Sequence, residues 1–132
     1  MVSLSDVLLH MFPDGVPRRD WLVQDNGGGP FIAEWRLPQP QPTPAELAAA
    51  ELPAAKHFAV AANRAECSRR IFERYPPGRQ LSALAGLYDS ANVAAMHEWI
   101  AANIAAENTA ADAIEAATTV QAVEAVTVAW PV

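Results

Sequence analysis

Trp21-Leu22-Val23-Gln24-Asp25-Asn26-Gly27-Gly28-Gly29-Pro30-Phe31-Ile32-Ala33-Glu34-Trp35-Arg36-Leu37 carries the clearest β pattern in the chain, two apolar alternating runs around a glycine-rich reversal. Asn and Gly supply the positive φ angles that a tight reversal needs, so the stretch predicts a hairpin. Period 2 puts Phe31, Ala33, Trp35 and Leu37 on one face and Ile32, Glu34 and Arg36 on the other. In the first run Trp21 and Val23 oppose Leu22 and Gln24. A lone two-stranded hairpin is marginal in water, so this one must pack on a neighbouring helix or on a partner chain.

Upstream, residues 3–13 (SLSDVLLHMFP) predict a short amphipathic helix. Ser3 and Ser5 are both able to cap it, Asp6 suits its first turn, and Pro13 stops it. Downstream, LPQPQPTP (37–44) reads as a stiff proline-rich linker. Thr43-Pro44-Ala45-Glu46 then opens a helix as a capping box that can run to Tyr75, with Pro53 expected to kink or divide it. Beyond Pro53, the positions Phe58, Ala61, Ala65, Ser68, Phe72 and Tyr75 keep a 3–4 spacing that suits close helix packing and permits self-association. A further helix is expected from about Pro77 and another from Asp89 or Ser90 to about Ala117, with a last short helix or turn over 119–126. The expected fold class is α+β: a short N-terminal helix plus β-hairpin (1–37), a proline-rich hinge (38–44) and a mainly α-helical remainder of antiparallel helices (45–132).

Composition narrows the function classes. The 132 residues are 52% hydrophobic, but about a fifth of them are alanine, which favours helix and buries little area. Net charge is −6, which gives no reason to expect nucleic acid or an anionic membrane surface as partner. One cysteine excludes an internal disulfide framework. No apolar run approaches the ~20 residues of a bilayer span, and MVSLSDVLLHMF lacks the features of a signal peptide, so a cytoplasmic origin is expected. Charge is also segregated. Lys56 to Arg79 holds six basic and two acidic residues, whereas Gln80 onward holds six acidic ones and no Lys or Arg. Opposite fields of this kind favour laying the acidic helix antiparallel to the basic one.

The residues of types that carry chemistry do not converge in the sequence. Asp25-Asn26-Gly27-Gly28-Gly29 precedes a strand-like run rather than a helix, so a hairpin turn fits better than a phosphate cradle. His97-Glu98-Trp99-Ile100-Ala101 begins like a zincin helix, but Ala101 stands where the second His is required. Cys67 lies beside Arg69 and Arg70 in mid-helix, where an inert thiol is the expected state. His10 and His57 are isolated in sequence, and Glu107, Asp112 and Glu115 read as a solvated helix face. Arg64, Arg69, Arg70, Arg74 and Arg79 are expected to pair with the acidic helix. No catalytic, metal or cofactor site is assigned, and no enzyme activity is expected. The aromatics have two readings, as core of the two halves or as contacts to a partner chain. Trp21, Phe31, Trp35, Trp99 and Trp130 are the candidate protein-binding residues.

Phe12-Pro13-Asp14, Arg19-Asp20-Trp21-Leu22-Val23-Gln24-Asp25-Asn26-Gly27 and Pro30-Phe31-Ile32-Ala33-Glu34-Trp35 together resemble the small phage tail proteins of the XkdW type. In those proteins a short helix ending near Phe-Pro leads into a similar hairpin. Arg36 departs from that pattern, where a polar Asn usually follows the Glu-Trp pair, and Gly27-Gly28-Gly29 is richer in glycine. The run Pro42-Thr43-Pro44-Ala45-Glu46-Leu47 looks like the hinge of tail-fibre and fibre-assembly proteins. The resemblance covers about the first third of the chain and carries over no catalytic residue. It implies a non-enzymatic protein of phage tail or tail-fibre assembly, a chaperone or adaptor that binds a larger fibre or baseplate protein. Its place would be the host cytoplasm during assembly or the virion tail, and a homo-oligomer through the helical region is compatible with it. A permanent structural component of the virion tail, and a phage-encoded inhibitor of a host protein, are the rival readings.

Overall fold

The computed structural model describes residues 2–132, which form five helices and one two-stranded antiparallel sheet. The α+β class expected from the sequence is the class observed. None of the helices among the described residues is long and apolar enough to cross a membrane. The chain divides into two compact units: one is the chain through Phe58 with Ala117–Glu124, the other Ala59–Ala116 with Ala125–Val132. The division falls at 58/59, inside a helix.

The first unit begins with α1 (Leu4–Met11). Of the two candidate serines Ser3 is the cap: the Asp6 N–H donates to Ser3 Oγ at 3.1 Å, and the Ser3 N–H donates back to Asp6 Oδ2 at 2.9 Å. This reciprocal pair satisfies two of the amides that every helix start leaves open. Val7 and Leu8 are the buried face of α1.

Strands β1 (Trp21–Asp25) and β2 (Pro30–Trp35) form the hairpin. Gly27 and Gly29 both sit at φ 101°, and Asp25 Oδ1 accepts the Gly27 and Gly29 N–H groups at 2.8 and 3.2 Å. The glycines are thus used for backbone conformation and not for a ligand. The register corrects the strict alternation expected from the sequence. Trp21 faces Trp35 and Leu22 faces Glu34, but Val23 faces Ile32, which leaves Ala33 as the extra residue of a β-bulge. The bulge shifts the phase by one, so Ile32 joins the Trp35 face while Phe31 turns outward opposite Gln24. Trp21 is fully buried, stacked on Trp35 at 6.1 Å between ring centroids, with Phe12 edge-on to Trp35 at 5.1 Å. Gly15 makes room for this stack, since a Cβ there would lie 2.2 Å from the Trp21 ring.

Helix α2 (Pro44–Arg74) starts with the expected capping box, Glu46 N–H to Thr43 Oγ1 at 3.2 Å and Thr43 N–H to Glu46 Oε2 at 3.0 Å. It runs through Pro53 without interruption, contrary to a division there. Pro53 and Ala49, whose carbonyl loses its i+4 donor, are both exposed, so solvent takes up the lost bond. In this unit Ala54 and Ala55 of α2 are buried, as is Val123 of α5 (Val120–Glu124).

The second unit contains the rest of α2, then α3 (Pro77–Leu84), α4 (Ser90–Ala116) and the C-terminal segment. Its α2 portion and α4 are antiparallel: Arg64 pairs with Glu107 at 3.7 Å, and Arg70 Nε donates to Asn103 Oδ1 at 3.1 Å. The face of α2 that packs differs from the expected row. Of that row Tyr75 is buried and Phe58 half-buried, but Ala61, Ala65, Ser68 and Phe72 are exposed, whereas Cys67 is buried and Asn63, Arg70 and Ile71 partly so. An alanine-rich helix has no strong apolar stripe, so specific polar anchors on Arg70 set its rotation instead. Tyr75, Ala83 and Met96 form a core, flanked by Val93, Trp99 and Ile100.

Candidate interaction surface

The five aromatic residues singled out in the sequence divide three ways. Trp21 and Trp35 are the stacked centre of the hairpin unit, and Trp35 Nε1 also donates to the Gln39 carbonyl at 2.6 Å, which ties the start of the proline run to the sheet. Trp99 and Trp130 lie in the second unit, and both rings meet one guanidinium. Arg70 Cζ stands 5.8 Å from the Trp99 ring centroid and 5.4 Å from that of Trp130, and its NH2 group donates to the Pro131 carbonyl. Asn103, fully buried, returns its amide N–H to the Trp99 carbonyl at 2.9 Å. This clamp fixes the C-terminal segment to α2 and α4. Phe31 alone of the five is 41% exposed, on the outer side of β2.

Phe31 borders an open groove of about 580 Å³ within the first unit. Leu4 and Val7 of α1 form one wall, Phe31 and Ile32 the second, and Pro42 with Leu47 of the first turns of α2 the third. Each wall follows from a local signal already described. The Ser3 cap sets where α1 begins, the bulge at Ala33 swings Phe31 outward, and the Thr43 box starts α2 immediately after Pro42. The lining is mostly apolar, with Glu51 as its one carboxylate. A concave apolar surface with few polar groups can hold a side chain or short segment of another molecule, and it offers no cluster for bond-making chemistry.

The basic residues behave differently from the expectation that they pair with α4. Of the five arginines named, Arg64 is paired with that helix, on Glu107 at 3.7 Å. Arg69 is held within α2 by Glu66 and Glu73 at 2.7 and 2.6 Å, Arg74 covers Trp99 at 4.3 Å, and Arg79 covers Tyr75 at 5.1 Å. Aromatic faces therefore compete for the guanidiniums that the charge pattern assigned to carboxylates. Cys67 is buried, and burial, with Glu107 nearby, pushes its thiol above the ordinary range. His97 is exposed. His10 and His57, isolated in sequence, meet with ring centroids 5.4 Å apart. The groove-lining residues Leu4, Leu47 and Pro42 escaped the sequence reading because aliphatic residues at helix starts look like ordinary core.

The sequence model of the XkdW protein family matches residues 4–59. That span coincides closely with the part of the first unit that ends at Phe58. Among curated proteins, the phage-like element PBSX protein XkdW of Bacillus subtilis (strain 168) is 39% identical over 44 residues, which are 33% of this chain and 40% of that protein. The uncharacterized protein YqcD of the same organism is 40% identical over 48 residues, 35% of this chain and 43% of its own length. The similarity thus spans about two-fifths of each relative. No solved structure matches the chain. Residues 4–59 are thus similar to XkdW phage-like element proteins, and the rest of the chain lies outside the match.

Proposed function

We propose that this is a non-enzymatic, phage-associated protein that acts in tail or tail-fibre assembly by binding a larger fibre or baseplate protein through the groove beside Phe31. The observation that carries this reading is the coincidence of three things in one unit: the XkdW match, the hairpin and the apolar groove. Binding of an apolar segment would cover Phe31, Leu4 and Leu47 together, the kind of contiguous apolar contact that dominates interface energetics. The rest of the chain, outside the match, would then adapt this unit to its own particle.

Particles of the phage or phage-like element that encodes the chain provide the test. Quantitative mass spectrometry of purified particles, with wild type and Phe31→Asp compared, is expected to find the wild-type chain stoichiometrically if it stays in the tail. If it acts only during assembly it will be absent from particles, and Phe31→Asp will then reduce the yield of fibre-bearing particles. Normal yield and normal composition with Phe31→Asp would overturn the groove as the working surface.

A further inference from the structure

At the corner between α2 and α3 the chain turns two arginines onto one ring. Helix α2 ends at Arg74, and Pro76 and Pro77 start α3. The Gln80 side-chain amide donates to the Tyr75 carbonyl at 2.7 Å, which fixes the first turn of α3 beside Tyr75. Arg74 and Arg79 thereby reach the same side chain from two helices. Their Cζ atoms stand 5.9 and 5.1 Å from the centre of the buried Tyr75 ring. Each also meets a second ring, Arg74 that of Trp99 at 4.3 Å and Arg79 that of the exposed Tyr88 at 5.9 Å. A guanidinium against a ring face keeps N–H groups at its edge, open to further hydrogen bonds. Both arginines are exposed, and among the described residues neither makes a hydrogen bond or an ion pair. Arg64, Arg69 and Arg70 of the same basic stretch differ, each having a carboxylate partner, at 3.7, 2.7 and 3.8 Å.

We infer that Arg74 and Arg79 form a receptor for an acidic segment of a partner protein, with two or three carboxylates close together on an extended stretch. Charge selects the class of occupant. Each guanidinium is a fork of donors matched to a carboxylate, and no anion of the chain's own occupies it. Spacing selects the length. The two Cζ atoms lie at most about 11 Å apart, a limit set by the ring they share, and an extended chain advances roughly 3.3 Å per residue. Carboxylates two or three positions apart in such a segment reach both guanidiniums. Nucleic acid is the other polyanion that arginines and aromatic rings attract. It needs a basic track that neutralises many phosphates, whereas this chain carries net charge −6 and, after Arg79, six acidic residues with no Lys or Arg. A long polyanion is repelled by that field, and a segment with two or three carboxylates escapes most of it. The rings also hold the two side chains in place beforehand, so binding costs little of their freedom. This surface belongs to the second unit, outside the XkdW match, and does not rest on the groove beside Phe31.

Fluorescence anisotropy tests this with the full chain and a labelled peptide of four consecutive glutamates. Saturable binding is expected with Kd below about 1 mM at low salt, weakening as salt is added, and a peptide of four serines should not bind. Arg79→Met leaves an apolar stem on Tyr75 and removes the charge. It is expected to raise Kd at least about fivefold while circular dichroism stays unchanged. Tyr88→Ala takes one ring from Arg79 without changing net charge and should raise Kd about twofold. Lys56→Gln makes the same change in net charge as Arg79→Met, in the first unit, and should leave Kd as it is. No binding of the glutamate peptide up to about 5 mM would overturn the inference, as would equal binding by Arg79→Met or an equal loss with Lys56→Gln. Tighter binding of a four-nucleotide oligothymidylate than of the peptide would also overturn it, assigning the two arginines to phosphate instead.

Discussion

The two units bury their tryptophans by different means. In the hairpin unit, ring packs on ring: Trp21 stacks on Trp35 with an interplanar angle of 16°, and Phe12 meets Trp35 edge-on. In the helical unit, rings pack on guanidiniums, Arg70 against Trp99 and Trp130 and Arg74 against Trp99. Composition explains the difference. The chain contains no alanine before Ala33, so its first unit has large side chains enough to fill its own centre. The alanine-rich helices that follow leave gaps, and the long apolar stems and flat heads of arginine fill them. The ring-on-ring stack uses no charged group, while the second arrangement depends on Arg70 and Arg74 being in place.

Removing the central ring should therefore produce the largest effect. Trp21→Ala is expected to destabilise the hairpin unit by about 3–5 kcal/mol, the usual cost of deleting a buried aromatic. Loss of the Trp21–Trp35 exciton signal in circular dichroism together with a lowered urea midpoint would check it. A variant that keeps the wild-type midpoint would show that the stack is not what holds the sheet.

Arg70 is the corresponding point in the helical unit. Arg70→Leu keeps the stem but strands the buried Asn103 carbonyl oxygen and releases the Pro131 carbonyl. An expected loss of about 2–3 kcal/mol follows from hydrogen bonds to a charged donor in a part-buried site. Amide exchange over residues 125–132 should rise with it. Arg70→Lys should recover little, because a point charge cannot bond Asn103 and contact two indoles at once as the guanidinium does.

Much of the hairpin unit was legible in the sequence because its signals are local. The Thr43-Pro44-Ala45-Glu46 box, Ser3 with Asp6, and Asp25 through Gly29 each specify their own geometry within four or five residues. The bulge at Ala33 was not legible, since an alternating run looks the same whether or not the partner strand skips a residue. That single slip decided that Phe31 and not Ile32 faces outward, and with it the wall of the groove. In the helical unit the helix bounds were nearly legible, but the middle of the row expected to pack on α2 is exposed. In so alanine-rich a helix, rotation about the axis is set by Arg70, Asn103 and Pro131, residues up to 61 positions apart. No local periodicity records such a contact. Leu81, Leu84 and Leu87 face solvent, which apolar spacing in the sequence does not reveal.

A smaller effect tests how far the first unit depends on its helix start. Ser3→Ala removes the oxygen that accepts the Asp6 N–H and should cost about 1 kcal/mol. Because α1 supplies Leu4 and Val7 to the groove, the same variant is expected to weaken any ligand of that groove slightly, whereas Ser5→Ala changes neither. Chemical denaturation of the two variants side by side separates the serines.

The smallest expected effect concerns the turn between α1 and the sheet, and it sharpens the contrast in charge sensitivity between the units. Asp20 accepts from Arg19 at 2.8 and 2.7 Å and from the Val16 N–H at 2.8 Å. These bonds, Arg19 first and the Val16 amide second, hold its carboxyl at about 2, below the ordinary 3.8. The folded value is lower than the unfolded one, so the contribution to stability is complete above the unfolded value and is lost as pH falls toward about 2. Arg19 is 67% exposed, so water and salt screen the pair and the slope is modest. Thermal melts between about pH 5 and pH 2 should show a decline in the hairpin unit that Asp20→Asn flattens. Asn retains an oxygen for the Val16 amide but has no proton to gain in this range, so it separates the charge from the turn geometry. An unchanged slope in Asp20→Asn would assign the acid sensitivity to other carboxylates, with Glu66, held below its usual range by Arg69 in the helical unit, the next to replace.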